Sequence, residues 1–187
     1  MAKILSTVEG GMILTNNKKY YKEILIRRSH GEKKAGDYIH NVLAQNARMT
    51  DIQASIGLAQ YRKLNFFLRS RRKVANTYNN YFKDIKNVTL PSLKKNCDNA
   101  YFFYPILINN RDKVAQKLKD EYGIDTRVAY KMPLYNQPLY KKKLEKFRKT
   151  NCPISEKVSK KILNLPIYPS LKNNEIKYIV KSISKII

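Results

Sequence analysis

Apolar and polar positions along the chain fall into alternating and helical periods. After Glu9-Gly10-Gly11, the run Met12-Ile13-Leu14-Thr15 predicts a short strand leaving a glycine turn. The following stretch, NNKKYYKEILIRRSHG, predicts a helix that Asn16 or Asn17 caps and Gly31 ends. Residues 32–47 have no clear period and read as an ordered loop. Then Thr50 and Gln53, three apart ahead of an apolar run, predict a capping box. Ile52, Ile56, Ala59, Leu64, Phe67, Leu68 and Val74 continue at helical spacing, and the pattern extends toward Phe82. A helix of that length spans about 50 Å, enough to join two parts of a molecule.

Beyond Pro91 the pattern changes. Residues 100–108, AYFFYPILI, are rich in aromatic and β-branched side chains and predict a strand, with Pro105 marking an edge or a bulge. A short helix follows over 111–123, with Gly123 as its C-cap. Residues 124–130 predict a second strand. The next segment, KMPLYNQPLY, is irregular and stiffened by Pro133 and Pro138. Helices are predicted over 155–166, closed by Pro166, and over 173–187. The region from about 90 onward is thus a compact α/β unit. The stretch before the long helix, with one strand and one helix, cannot enclose a core of its own.

Composition adds one unusual feature, a formal net charge of +24 in 187 residues. Such a charge suits a nucleic-acid or anionic-membrane surface. It also follows from a bias toward Lys, Asn, Ile and Tyr, visible in NNKKYYK, TYNNYFK and LKNNEIKYIVK. The lysines spread along the whole chain, which favours composition bias; RSRRK at 69–73 is the dense exception. Cys97 and Cys152 are the two cysteines, and neither lies in a metal-binding spacing. Nothing reads as a signal peptide or a membrane span. The expectation is a cytoplasmic protein with free thiols, no metal and no membrane partner.

Three stretches carry a resemblance. They are KILSTVEGGMILTNN, then HNVLAQNARMTDIQASIGLAQYRKL, then GIDTRVAYKMPLYNQPLY followed by CPISEKVSKKILNLPIYPSL. In order and spacing they resemble the C-terminal half of the DegT/DnrJ/EryC1/StrS family, pyridoxal-phosphate (PLP) aminotransferases acting on nucleotide-linked keto-sugars. The resemblance covers nearly the whole chain, and the segment Asn46-x-Arg48-Met49-Thr50-Asp51-Ile52-Gln53-Ala54 is its most specific part.

The resemblance implies an α/β fold, the C-terminal part of a PLP-dependent transferase of fold type I. Residues 1–49 would belong to the large cofactor-binding domain, 50–85 to a long connecting helix and 86–187 to a small C-terminal α/β domain. It implies that Lys3 is the catalytic, cofactor-binding lysine, placed ahead of Thr7-Val8-Glu9-Gly10-Gly11, where Val8 stands in place of the usual glycine. A primary amine is the group such chemistry wants, because it binds the cofactor aldehyde and then moves a proton. Asn46 matches the asparagine that reaches the cofactor phosphate of a neighbouring subunit, which implies a homodimer. Tyr130, Tyr135 and Gln137 match the loop near the sugar nucleotide and are weaker substrate candidates. Packing beside the prolines explains them about as well. Arg48 and Asp51 read as braces of the helix start. His30 and His40 match family positions and are assigned no catalytic role.

The implied reaction moves an amino group from an amino-acid donor, glutamate being the expected one, to a nucleotide-linked keto-sugar. It would serve the synthesis of surface polysaccharide or glycan precursors. In the family, the acid for the pyridine nitrogen, the stacking ring and most phosphate donors precede the lysine. The expectation is therefore a C-terminal fragment with little or no activity by itself, either a truncated or split gene product or a fragment completed by a separate N-terminal chain. Two other readings stand beside it. One is a basic nucleic-acid-binding module, whose affinity would fall steeply with salt. The other is a non-catalytic remnant pairing with a full-length homologue.

Overall fold

The computed structural model describes residues 3–143 and 152–187. The chain divides into two compact units, Met1–Asn65 and Phe66–Ile187.

In the first unit, helix α1 (Lys18–Arg28) starts where the sequence predicts. The Asn17 side chain accepts hydrogen bonds from the backbone N–H groups of Lys19 and Tyr20 at 2.9 and 3.3 Å. Such a cap satisfies donors that the first helical turn leaves unpaired. The Gly31 N–H returns to the Ile26 carbonyl and closes the helix. Helix α2 (Asp51–Arg62) starts at the predicted capping box. Gln53 N donates to Thr50 Oγ1, and Thr50 N donates to Gln53 Oε1.

Residues 12–15 are not the predicted strand. Met12, Ile13 and Leu14 are exposed, and no strand of this unit lies beside them among the described residues. An extended segment without a neighbour has no ladder to join, so a strand-like sequence remains an extended loop. This unit buries no apolar side chain among its described residues; Leu43 is 93% exposed and Ile52 is 75% exposed.

The predicted continuous helix is two helices. Lys63 ends α2 by donating its N–H to Gln60, a tight three-residue bond, and α3 (Leu64–Phe82) follows at once.

The core sits in the second unit. It contains an antiparallel sheet in the order β1 (Val88–Thr89), β2 (Tyr104–Ile108), β3 (Ile162–Leu165). Tyr104, Ile106 and Ile108 of β2 are buried, alternating with half-buried Pro105 and Leu107. The buried face meets an apolar stripe of α3 (Val74, Ala75, Tyr78, Phe82). It also meets helix α4 (Arg111–Tyr122) and helix α7 (Asn173–Ile186), which contribute Leu118 and Ile183 among others. The predicted Gly123 cap of α4 is present, at φ +65°. This is a left-handed position that glycine takes without a Cβ clash.

Four strand and helix expectations are corrected. First, β2 begins at Tyr104, not at residue 100, because Tyr101 turns into the left-handed region and donates its N–H to Asn99 Oδ1. Second, β2 is the central strand, yet it tolerates Pro105. Its partner Asn164 directs both backbone groups away, to Arg127, so the N–H that proline lacks is not wanted there. Third, the strand predicted over 124–130 reduces to that single bridge between Arg127 and Asn164. Fourth, the predicted helix over 155–166 is helix α6 (Pro153–Lys161) running directly into β3. The buried Arg111 accounts for the switch. Its guanidinium donates to the carbonyls of Ser159 and Ile162, at 3.2 and 3.0 Å. These carbonyls lie where a helix end leaves acceptors unpaired. Between these elements, the irregular proline segment contains a 3₁₀ turn (Leu134–Asn136) and a short helix, α5 (Pro138–Lys143).

Candidate functional site

Lys3 is exposed and precedes a turn built from local bonds. Thr7 Oγ1 donates to the Glu9 carbonyl at 2.8 Å, and Val8 N donates to Ser6 Oγ at 3.2 Å. The turn seats on α2 through Gly57, where an added Cβ would lie 2.8 Å from the Thr7 methyl. It also meets the second motif. A Cβ on Gly10 would come 2.6 Å from Thr7 Oγ1 and 3.0 Å from the Met49 methyl. The lysine-bearing segment and the Asn46–Met49 segment are therefore packed together within one unit. Sequence reading missed Gly57, although a glycine inside a helical pattern is itself a sign of close backbone approach.

Val8 sits at φ +72°. A β-branched residue in that region costs about 1–2 kcal/mol. The usual glycine at this place avoids that strain. Val8→Gly is expected to stabilise the turn by about 0.5–1 kcal/mol after the entropy of the more flexible unfolded chain is subtracted. Hydrogen exchange at residues 8–10 should slow by about two- to fivefold; faster exchange would contradict the strained conformation.

Asn46 is exposed and pairs with Ser29 in an isolated antiparallel bridge. The loop carrying it lies along the end of α1, with Gln45 N bonded to Arg27 O and Ala47 N to Arg28 O. Asn46 Oδ1 accepts from Arg48 N and Arg48 Nε, at 3.4 and 3.2 Å. Arg48 thus braces the turn ahead of α2, and the asparagine amide nitrogen is the group with which Asn46 can donate to an anion. The His40 Nδ1 bonds the His30 carbonyl at 2.7 Å and holds the intervening loop.

In the second unit, Tyr130 is 78% exposed, whereas Tyr135 and Gln137 are half-buried. The Tyr135 hydroxyl donates to Glu156 Oε1 at 2.8 Å. Partial burial, then this bond to a carboxylate, pushes the phenol up to about 12. Two cavities of about 390 and 320 Å³ open beside β1 and the end of β2, and none of these three residues lines either one.

The basic cluster at 69–73 is largely turned to structural use. Arg71 Nη1 donates to the carbonyls of Tyr101 and Ile167, at 3.0 and 3.1 Å, and burial lowers its pKa. Arg72 bonds the Asn99 carbonyl and pairs with Asp98. Among the described residues no helix is long and apolar enough to cross a membrane.

Comparison with known proteins follows from this geometry. The sequence profile of the DegT/DnrJ/EryC1/StrS aminotransferase family matches residues 1–184. GDP-perosamine synthase of Escherichia coli O157:H7 is 33% identical over 186 residues, covering 98% of this chain and 49% of that protein. A UDP-4-amino-4,6-dideoxy-N-acetyl-beta-L-altrosamine transaminase of Helicobacter pylori is 30% identical over 191 residues, again 98% and 49%. The solved structure of Helicobacter pylori PseC, an aminotransferase involved in the biosynthesis of pseudoaminic acid, superimposes with a TM-score of 0.85 at 28% identity. It covers 97% of this chain and 50% of that one. The chain spans about half the length of the curated relatives it matches.

Proposed function

The chain belongs to the DegT/DnrJ/EryC1/StrS aminotransferase family, and on that premise we propose that it supplies the lysine-bearing half of a PLP-dependent nucleotide-sugar aminotransferase. Members of this family are PLP-dependent sugar aminotransferases. The observation that carries the reading is the joint packing of two segments in one unit. The Lys3 segment seats against Gly57 and Met49, and Asn46 lies exposed three residues before Met49.

The residues present fit part of what PLP needs. An exposed primary amine on Lys3 suits its aldehyde, and an exposed carboxamide on Asn46 suits its phosphate. When bound, the cofactor supplies an electrophilic carbon and a ring that stores electrons. Lys3 Nζ would hold the cofactor through that carbon and, once released, would serve as the base that moves a proton. The Asn46 amide would donate to the cofactor phosphate of a neighbouring subunit in a homodimer. Tyr130, Tyr135 and Gln137 are the candidate contacts for the nucleotide-linked keto-sugar, and an amino acid such as glutamate is the candidate amino donor. A complete site also needs an acid for the pyridine nitrogen and a ring to stack on the cofactor. The reading of a nucleic-acid module is the weaker one, because Arg71 and Arg72 bond backbone carbonyls of their own unit.

The test is direct. The 187-residue polypeptide mixed with PLP is expected to give no visible band of a lysine-bound cofactor. Addition of the family's preceding half should produce such a band, together with amino transfer from glutamate to a UDP- or GDP-linked keto-sugar. A reconstituted assembly that forms the band yet transfers no amine to any nucleotide-linked sugar would refute the proposal. A band from the isolated polypeptide would refute the need for outside residues.

A further inference from the structure

Tyr135 and Asn136 stand side by side in the 3₁₀ turn, and both side chains reach the same oxygen. Tyr135 O–H donates to Glu156 Oε1 at 2.8 Å, and Asn136 Nδ2 donates to it at 3.4 Å. Glu156 lies about twenty residues further along the chain, in the first turn of α6. Its own backbone is fixed there. Glu156 N donates to the Cys152 carbonyl, and Ser159 Oγ donates to the Glu156 carbonyl. A carboxylate in a helix's first turn faces the unpaired N–H groups and positive end of the helix dipole. An ionised acceptor makes hydrogen bonds roughly twice as strong as a neutral one.

Among the described residues the segment that this oxygen holds has few other ties, a backbone hydrogen bond between Cys152 and the Tyr135 hydroxyl being one. The Arg127–Asn164 bridge fixes its beginning. Beyond that bridge Tyr130 is 78% exposed, Leu134 67% and Leu139 57%. Its turn depends on two backbone bonds, Asn136 N to Pro133 O and Gln137 N to Leu134 O. A single turn with this much exposed side chain does not hold one geometry without an external tie.

We propose that Glu156 is a positioning residue, a latch that fixes the 130–137 segment for a nucleotide-linked sugar through Tyr135 and Asn136. Tyr135 is then the partner of the latch and does not contact substrate through its hydroxyl. Contact with the sugar nucleotide falls to Tyr130 and Gln137. This inference rests on the assignment of 130–137 to substrate made above, and the experiment separates the two.

Three variants of the full chain are compared: Glu156→Ala, Glu156→Gln and Tyr135→Phe. Glutamine keeps a carbonyl acceptor for both donors, whereas alanine keeps none. Hydrogen exchange at the Asn136 and Gln137 amides should quicken by about tenfold or more in Glu156→Ala, by less in Tyr135→Phe, and by under about threefold in Glu156→Gln. In the reconstituted enzyme, the half-saturating concentration of UDP-N-acetylglucosamine or GDP-mannose, read as competition with substrate, should rise about tenfold in Glu156→Ala with kcat unchanged. Glu156→Gln should restore it. Unchanged exchange in Glu156→Ala and Tyr135→Phe overturns the latch. Quickened exchange with unchanged half-saturation keeps the contact but overturns the substrate assignment, and the positioning role falls with it. A fall in kcat equal to the fall in affinity also overturns that role, since positioning of a binding segment should act mainly on KM.

Discussion

Lys3→Ala is expected to lower amino transfer in the reconstituted enzyme by at least about a thousandfold, a loss of about 4 kcal/mol of transition-state stabilisation. On the proposed function, one substitution would remove two roles, the amine that holds the cofactor and the base that moves the proton. No other lysine is offered by the same turn, because the residues from Leu5 to Leu14 include none. The visible band of the bound cofactor should disappear together with the activity. A urea titration of the variant separates chemical loss from structural damage, since the packing of the turn runs through Thr7, Gly10 and Gly57. The variant should therefore unfold at the wild-type urea midpoint. Partial rescue of turnover by a small added amine would mark the loss as chemical. Retention of more than a tenth of the activity would move the catalytic role to another residue.

The second large effect is on stability. Tyr78→Ala is expected to destabilise the second unit by about 4–6 kcal/mol, comparable with the whole stability of a small domain. Tyr78 is fully buried, stacks on Tyr104 with ring centroids 4.6 Å apart, and donates its hydroxyl to the Pro166 carbonyl at 3.0 Å. Truncation leaves a ring-sized cavity and an unpartnered carbonyl. Tyr78→Phe keeps the ring and should cost only about 1–2 kcal/mol, the price of that carbonyl. The two variants together divide packing from hydrogen bonding in a urea titration. A loss below about 2 kcal/mol for Tyr78→Ala would contradict the placement of α3 on the sheet.

The same ring gives a pH dependence. Burial, reinforced by neighbouring Tyr104, raises the Tyr78 phenol above its ordinary value of 10.0. Burial, with Tyr101 close by, also raises Tyr104, whose hydroxyl donates to Asn79. Both phenols stay protonated in the folded state after the unfolded chain has begun to ionise. Above pH 10 the unfolded state therefore binds fewer protons, and stability falls as pH rises. Each phenol contributes a slope of about 1.4 kcal/mol per pH unit. Stability should be level with respect to these groups below about pH 9, and Tyr78→Phe should lessen the alkaline slope by the share of that one phenol, with Tyr104 and Tyr135 continuing to contribute in the same sense.

Local signals were fully legible. Asn17, the Thr50–Gln53 box and Gly123 each act within a few residues, so their chemistry is written in adjacent letters. The segments that carry the family resemblance belong to the same class of signal, since the residues that identify them stand close together in the chain. Pairing was not legible. ILNL at 162–165 follows a helical pattern without a break, and it becomes a strand because β2 lies beside it and Arg111 bonds the carbonyls at the junction. MILT at 12–15 has a strand-like composition, and among the described residues no strand lies beside it.

The sequence by itself determined the helix starts, the apolar stripes of α3 and α7, the family and the positions of Lys3 and Asn46 along the chain. Only the tertiary structure decided the rest. It set Thr7 against Gly57, turned Arg71 and Arg72 onto backbone carbonyls, placed Pro105 opposite a residue that does not need its N–H, and tied Tyr135 to Glu156. Caps and periodicity depend on neighbours a few residues apart, whereas these contacts join positions twenty to nearly a hundred residues apart. Which distant groups meet is fixed by how the elements pack, and no local pattern contains that information.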